Sequence, residues 1–452
     1  MTRFSPLATL KHWFSDGVLR RIFKNASLLL SGRAANGLLS LGTLSLMAHG
    51  LGAGNFGLVI LVQTYVLVIT GLATFQSWQA LIRYGAIVLK NNDIAGFQNL
   101  LKFTAMLDLC GVIVGVLVGY FGAPIVGPYV QWDAEVIEYA QIYSFLILFT
   151  VIATPTGLLR LFDRFDLLTA QASITPLLRL IGVAIVAVVF DAPIWAYLLA
   201  WFVAGVVGGL SLIVLGWREV AKRGLLQGMT WSLRGVTQGH DSIWRFSIIS
   251  NFHSSLLLVT GHMATFLIGF AGGPTEAGLY KIGKDVATTL TKPAELLNQS
   301  IYPEFAKLGS QGSWAEFPRL ILRGGALGGG AGVVLLAIAL LFGQAFLTVA
   351  FGDEFVAAYA VLVLLVAAAT LTVSGFSMDP ALFAMGRPGI PLQVNAVSVF
   401  GIFLPLIYLL GKTYGATGAG LAALASSIFV FCVMAFFTTH QLRKRLANVP
   451  KT

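Results

Sequence analysis

The sequence predicts an all-α membrane protein of about twelve transmembrane helices, arranged as two six-helix bundles related by a pseudo-two-fold axis along the membrane normal. Three observations carry this reading. Of 452 residues, 57% are hydrophobic and only 11% charged, against roughly 25% charged in an ordinary soluble domain. The chain lacks the charge to cover itself in water, so most of its surface must face lipid. Apolar segments of the length that crosses a bilayer recur about twelve times, and two stretches of the chain resemble each other at a fixed offset.

A span needs about 20 apolar residues to cross roughly 30 Å of hydrocarbon. Such segments lie at 26–49, 55–78, 103–122, 137–159, 167–190 and 193–216, and again at 246–271, 277–300, 324–346, 356–377, 389–411 and 415–439. Basic residues orient them. With the N-terminus in the cytoplasm, 23 of the 29 Lys and Arg fall in inner segments and only Lys412 in an outer loop. That asymmetry places both termini in the cytoplasm and requires an even number of spans. It also accounts for the net charge of +10 without nucleic acid, because the cations are dispersed between spans and form no extended patch.

The expected organisation is a cytoplasmic amphipathic segment (1–25), an N-terminal six-helix bundle (26–216), a cytoplasmic linker (217–245), a C-terminal six-helix bundle (246–440) and a basic cytoplasmic tail (441–452). In the first segment Leu7, Leu10, Phe14, Val18 and Ile22 recur at helical spacing with Lys11, Arg20 and Arg21 off the stripe. This predicts a helix lying on the inner leaflet, since charges interrupt it too often for a signal peptide. The repeat is seen where Gly54-Asn55-Phe56-Gly57-Leu58 returns, 221 residues later, as Thr275-Glu276-Ala277-Gly278-Leu279. Pro155 with Leu158, Leu159 and Arg164 returns as Pro380 with Leu382, Phe383 and Arg387. Six spans per repeat point both halves the same way, and a site is expected between them.

Five basic residues fall inside spans: Arg33, Arg179, Lys281, Lys284 and Lys292. An ionised group at mid-membrane costs at least ~2.5–3.5 kcal/mol on insertion scales. Arg179 is about 18 Å from the inner end of its span at ~1.5 Å per residue, too deep for its stem to reach the headgroups. It is either one partner of an ion pair inside the bundle or a cation lining a polar cavity. Arg33 is shallower and serves equally as a cavity cation or an interfacial anchor. On the eighth span Lys281, Lys284, Asp285, Thr288, Lys292 and Glu295 share one helix face, which must meet water or protein. Lys281 with Asp285 and Lys292 with Glu295 would make that face neutral. Lys284 has no such partner, and Asp285 and Glu295 are candidates for ion coupling. Asn36, Gln63, Thr64, Gln76, Asn251, His253 and His262 are candidate polar lining. Together these residues describe a cationic cavity suited to an anionic or mixed anionic and polar substrate.

No phosphate-cradling loop and no soluble segment able to house an ATPase occur, so energy for any transport comes from gradients, membrane potential or substrate flow. Asp133-Ala134-Glu135 is similar to an acidic motif of membrane glycosyltransferases, but no outer loop is long enough to build a catalytic domain around it. Cys110 and Cys432 lie in apolar segments and have no metal-ligand neighbours, so no cofactor or metal is expected.

Four stretches carry a family resemblance: Ser31 to Gln63, Gly157 to Gly182, Ala277 to Leu308, and Phe351 to Leu365. Their order and number over nearly the whole chain resemble the polysaccharide transporter, or oligosaccharide-lipid flippase, family of the multidrug/oligosaccharidyl-lipid/polysaccharide exporter superfamily. The resemblance implies a bacterial inner-membrane transporter that moves undecaprenyl-diphosphate-linked oligosaccharide to the periplasmic leaflet by alternating access, for O-antigen or exopolysaccharide. Its partners would be the lipid-linked glycan, membrane lipids, and the polymerase and chain-length proteins of a polysaccharide assembly system. Arg33, Arg179 and the eighth-span lysines would meet the diphosphate or acidic sugars. Two alternatives stand beside this: a drug/cation antiporter of the same superfamily, which would want acidic residues where Arg33 and Arg179 stand, and a membrane enzyme or partner of polysaccharide assembly.

Overall fold

A computed structural model describes the chain over residues 17–188, 192–230, 232, 236, 243–311, 314–387 and 389–447. Within the helices, the side chains of 17–34, 251–260 and 292–300 are among those outside this description. Every regular element among the described residues is helical. The first half comprises α1 (Gly17–Ala73), α2 (Ser77–Lys90), α3 (Ile94–Val126), α4 (Ala134–Ser144), α5 (Ile147–Thr150), α6 (Ala153–Leu161), α7 (Phe165–Val188) and α8 (Ile194–Lys222). The second comprises α9 (Ile243–Gly272), α10 (Pro274–Ser310), α11 (Phe317–Phe351), α12 (Tyr359–Ser374), α13 (Met378–Ala384) and α14 (Gly389–Ala396). A π-helical turn over Val397–Phe403 then leads into α15 (Leu404–Ala447).

Length alone says that α1 and α15 are not single spans. A helix of 57 residues would run about 85 Å at ~1.5 Å per residue, far more than a bilayer. Glycine breaks each one. Gly52 has φ +67° and Gly415 has φ +55°, a region that only glycine enters without strain. At the second break the chain reverses, since a Cβ on Gly418 would lie 2.2 Å from the Leu410 carbonyl oxygen. Each break leaves backbone N–H groups unpaired, and in lipid these must find acceptors within the protein. Glu354 accepts from the N–H of Ala53 at 2.7 Å, and Glu276 accepts from that of Ala416. Counting both arms of α1 and α15, and joining the second arm of α1 with α2, α4 with α5 and α6, α12 with α13, and α14 with the first arm of α15 as broken spans, gives the expected twelve spans among the described residues.

Several helices overrun the predicted spans: α2 continues to Lys90, α8 to Lys222 and α10 to Ser310. Beyond the lipid these ends remain amphipathic and pack into local cores. One core gathers Leu81, Val88, Phe97, Leu101, Leu158 and Val220. Another gathers Phe305, Phe317, Met378, Leu382, Met385 and Met434. The connection after α8 is tied to the first core, because the Gln98 amide donates to the carbonyls of Leu225 and Gln227.

By internal contacts the chain forms two compact units. One contains Met1–Thr43, Val66–Ala123 and Glu138–Val259; the other contains Leu44–Tyr65, Pro124–Ile137 and Thr260–Thr452.

Within the first unit, two spans are broken in the same way. The second span is interrupted between Ala73 and Ser77, the fourth between Thr150 and Ala153. One buried carboxylate contacts both. Asp108 of α3 accepts from the Thr154 backbone N–H at 2.7 Å, capping the start of α6, and from the Ser77 hydroxyl at 2.7 Å, which ties the start of α2 to the same carboxylate. Close packing supports it, since a Cβ on Gly111 of α3 would lie 2.2 Å from the Ala73 carbonyl oxygen.

The internal repeat appears in backbone detail. After α6, Asp163 is left-handed at φ 58°; after α13, Gly386 is left-handed at φ 75°. In each case the next N–H returns to a carbonyl five residues back, Arg164 to Leu159 at 2.8 Å and Arg387 to Leu382 at 2.9 Å. These are the same helix-ending motif at matching places in the two halves. The other repeated motif meets its own copy inside the second unit. A Cβ on Gly278 would lie 3.1 Å from the Gly57 Cα, and one on Gly57 would lie 2.0 Å from the Pro274 carbonyl oxygen. Phe56 packs edge-on against Phe355 beside this crossing, with ring centroids 5.4 Å apart.

Gly57→Ala is therefore expected to destabilise the protein by ~1–3 kcal/mol through overpacking. Gly330→Ala, on α11 where a Cβ would meet nothing within 4 Å, should be neutral or stabilising through helix propensity. Thermal unfolding of the purified protein in detergent separates the two; equal shifts would mean that Gly57 is not at a close crossing.

Candidate functional site

The first unit carries a half-open cavity of about 650 Å³, room for roughly twenty waters at ~30 Å³ each and far larger than a packing defect. Its wall takes Asn36 from α1, Ile82 from α2, Thr156 and Arg160 from α6, and Thr169 and Gln171 from α7. The break before α6 is what turns Thr156 and Arg160 onto this wall, one helical turn apart. The Asn36 amide donates to the Ala172 carbonyl at 3.0 Å, and its buried Oδ1 has no partner among the described residues. Gln171 donates to the Gly208 carbonyl at 2.7 Å. The Thr156 and Thr169 hydroxyls donate to Ile152 and Phe165 and retain acceptor capacity. The Arg160 guanidinium lies over the Trp78 ring, 4.3 Å from its centroid. The cavity thus offers amides, hydroxyls and one cation, a mixture suited to sugar hydroxyls and an anionic group.

Asn36 was expected as polar lining; Arg160 was counted only among the inner cations. No pattern of spacing could place it, because its position depends on the interruption of the fourth span. Pro155, just inside the new helix, was the one available signal.

Arg179 lies elsewhere in the same unit. Its guanidinium stacks on Trp201, 4.8 Å from the ring centroid, and its Nε has no hydrogen-bond partner among the described residues. No ion pair to it is seen among those residues, and its contact there is with the Trp201 ring.

In the second unit, the eighth-span stripe lies on α10. Lys281 pairs with Asp285 at 2.8 Å, the i,i+4 geometry the spacing implied. Lys284 does have a partner, though not a carboxylate: its ammonium donates to the Gly261 carbonyl of α9 and lies 6.0 Å from the Tyr280 ring centroid. His262 is half-buried and within electrostatic reach of Lys284, Lys281 and Asp285. This makes a compact group of four titratable side chains. Gln63 and Thr64 are buried in the same unit. Gln76, in the first unit, accepts from the Trp78 indole at 2.6 Å and so helps position the ring under Arg160. The side chains of Arg33, Lys292, Glu295, Asn251 and His253 lie outside the described residues.

Comparison with known proteins adds the following. Residues 22–309 match the family described as polysaccharide biosynthesis protein. Over 351 residues the chain is 31% identical to Inner membrane protein YghQ of Escherichia coli (strain K12), covering 77% of this chain and 98% of that one. Among solved structures it is similar to an inward-facing multidrug resistance MATE family transporter of the MOP superfamily, with a TM-score of 0.69 at 14% identity over 92% and 99% of the two chains. It is also similar to the lipid II flippase MurJ in an inward closed conformation, with a TM-score of 0.63 at 12% identity over 92% and 90%. At these identities the structures speak to fold alone, and the fold is the all-α membrane fold of twelve helices in two six-helix bundles.

The Lys281–Asp285 pair, with each side chain about a quarter exposed, should behave as a coupled unit. A double-mutant cycle of Lys281→Ala and Asp285→Ala, read by thermal unfolding, is expected to give a coupling of ~0.5–2 kcal/mol. Additive effects would mean that Lys281 is a free cation rather than half of a neutral pair.

Proposed function

Since this chain belongs to the polysaccharide biosynthesis protein family, we propose that it is a flippase of the bacterial inner membrane. In this reading it moves an undecaprenyl-diphosphate-linked oligosaccharide from the cytoplasmic to the periplasmic leaflet by alternating access, for O-antigen or exopolysaccharide biosynthesis. The observation that carries the reading is the cavity bounded by Asn36, Thr156, Arg160, Thr169 and Gln171. Amides and hydroxyls there match a glycan, and Arg160 matches an anionic group on it. Arg33, Arg179, Lys281, Lys284 and Lys292 are proposed as further cations meeting the diphosphate or acidic sugars. Asp285 and Glu295 are proposed for ion coupling. A prenyl tail needs no polar cavity and would stay in lipid between helices.

A drug/cation antiporter is less well supported. Cationic substrates need an available carboxylate, and none lines this cavity among the described residues. The buried carboxylate of the same unit, Asp108, is engaged by Ser77 and Thr154. An enzymatic role finds less support, since the described residues lining the cavity include no acid–base pair. Polymerase and chain-length proteins are the proposed partners, and both termini are proposed to lie in the cytoplasm.

The test is the leaflet position of the lipid-linked glycan after depletion of this protein in a strain with no redundant flippase. Accumulation on the cytoplasmic face is expected, reversed by the intact chain. Arg160→Ala should restore at least tenfold less transport, in keeping with loss of one charge-assisted hydrogen bond of ~1.5–3 kcal/mol. Normal arrival at the periplasmic face without the protein would overturn the flippase reading.

A further inference from the structure

A cap at the start of α6 needs only an acceptor, which serine, threonine or asparagine supplies without charge. An aspartate stands there instead. Asp108 is 8% exposed and lies in a helix apolar enough to cross the membrane. An ionised carboxylate is costly at such a place unless a cation or several donors meet it. Two donors do, the Ser77 hydroxyl and the Thr154 N–H, and no cation pairs with it among the described residues. The surrounding elements are uncharged at this level. The end of α1 and all of α5 carry no charge, and α9 meets α3 at Phe103 through Trp244. Lys102 on α3, Arg83 on α2 and Arg160 on α6 are each six residues along their helices from Asp108, Ser77 and Thr154, or ~9 Å. The acid of α8, Glu219, is held by Arg164 and Arg223.

The Thr154 hydroxyl is the second observation. Thr154 is 2% exposed and close enough to interact with Asp108, yet its Oγ1 has no hydrogen-bond partner among the described residues. A threonine inside a helix ordinarily donates to a carbonyl one turn back; here the span is interrupted at that point. An ionised carboxylate only accepts, whereas a protonated one gains an O–H that donates. A proton on Asp108 thus removes a buried charge and gives the orphaned Oγ1 a donor, and it weakens the charge-assisted bond from the Thr154 N–H. Each protonation state satisfies a group that the other leaves wanting. The consequence reaches the cavity, because Ile152 and Thr156 on either side of Thr154 line it, with Arg160 one turn further on.

We infer that Asp108 is a proton-binding site whose occupancy sets the geometry of the cavity wall. Ionised, it accepts from the Ser77 hydroxyl and the Thr154 N–H and pins the first turn of α6. Protonated from water, its Oδ2 donates to Thr154 Oγ1, the Thr154 N–H is released, and Thr156 and Arg160 are no longer held in place. Return of the proton to water restores the pin. The site is separate from Asp285 and Glu295, and it stands whatever the cavity carries.

The test is infrared difference spectroscopy of the purified full-length protein between mildly alkaline and mildly acidic buffer. Acidification is expected to raise the carbonyl-stretch band of a buried, protonated carboxyl. The band should be absent from Asp108→Asn. It should move to higher frequency in Thr154→Val, which removes the hydroxyl that accepts from the acid. Hydrogen exchange at the Thr154 and Thr156 amides, corrected for its intrinsic pH dependence, should be about tenfold faster in the protonated protein. In Asp108→Asn it should be the same in both buffers. A cap with a structural role alone gives none of these pH effects. Absence of a band that depends on Asp108, a band unmoved by Thr154→Val, or exchange at Thr154 as fast in alkaline as in acidic buffer would each overturn the site. If Asp108→Asn fails to fold, the intact chain and Thr154→Val still decide the question. Neither readout involves transport, so failure here leaves the flippase reading standing, and normal glycan transport without the protein leaves this site standing.

Discussion

Much of the first unit depends on one carboxylate. Asp108 sits in α3 with no cation beside it among the described residues, and two donors hold it, the Ser77 hydroxyl and the Thr154 N–H. Lipid supplies no hydrogen bonds, so an interrupted span is tolerated only where protein groups pair the freed backbone. Asp108 does this at the start of α6 through the Thr154 N–H and anchors the start of α2 through the Ser77 hydroxyl, holding α2 and α6 to one point. Those pieces carry Ile82, Thr156 and Arg160 to the cavity wall. The polar cavity thus follows from a capping interaction made one helix away.

Glycine does the comparable work in the second unit. Helices in a membrane gain nothing from hiding apolar surface from water, so close contact between backbones is what holds them together. Gly57 and Gly278 permit it, and they occupy equivalent places in the repeat. Nearby, the carboxylates of Glu354 and Glu276 cap the starts of the arms after Gly52 and Gly415. A corner of the chain that hydropathy reads as loop is therefore a packed, capped crossing of helices.

The span count, the repeat and the Lys281–Asp285 pair were legible in the sequence because each depends on local order: length, offset, or spacing of four along a helix. Tertiary partners were not. Lys284 looked unpaired since its acceptor, the Gly261 carbonyl, lies on the preceding helix. Arg160 looked like a loop cation since its span is broken before it. Asp108 was passed over within an apolar segment, although a lone carboxylate at that depth was itself a signal. The shared ending of α6 and α13 shows the opposite case: the matched Pro, Leu and Arg of the two repeats were visible as letters, and the backbone motif they encode is the same.

The two units thus carry different features, a polar cavity of about 650 Å³ in one, and a lysine, histidine and aspartate group in the other. Central to the account is that the cavity of the first unit receives the glycan. The most direct measurement is photocrosslinking in membranes from a photoreactive residue placed at Leu168, which lines that cavity, with Leu341, on the exposed face of α11, as the control position. The account predicts adducts carrying glycan from position 168 and none from 341. Adducts with phospholipid alone at both positions would contradict it.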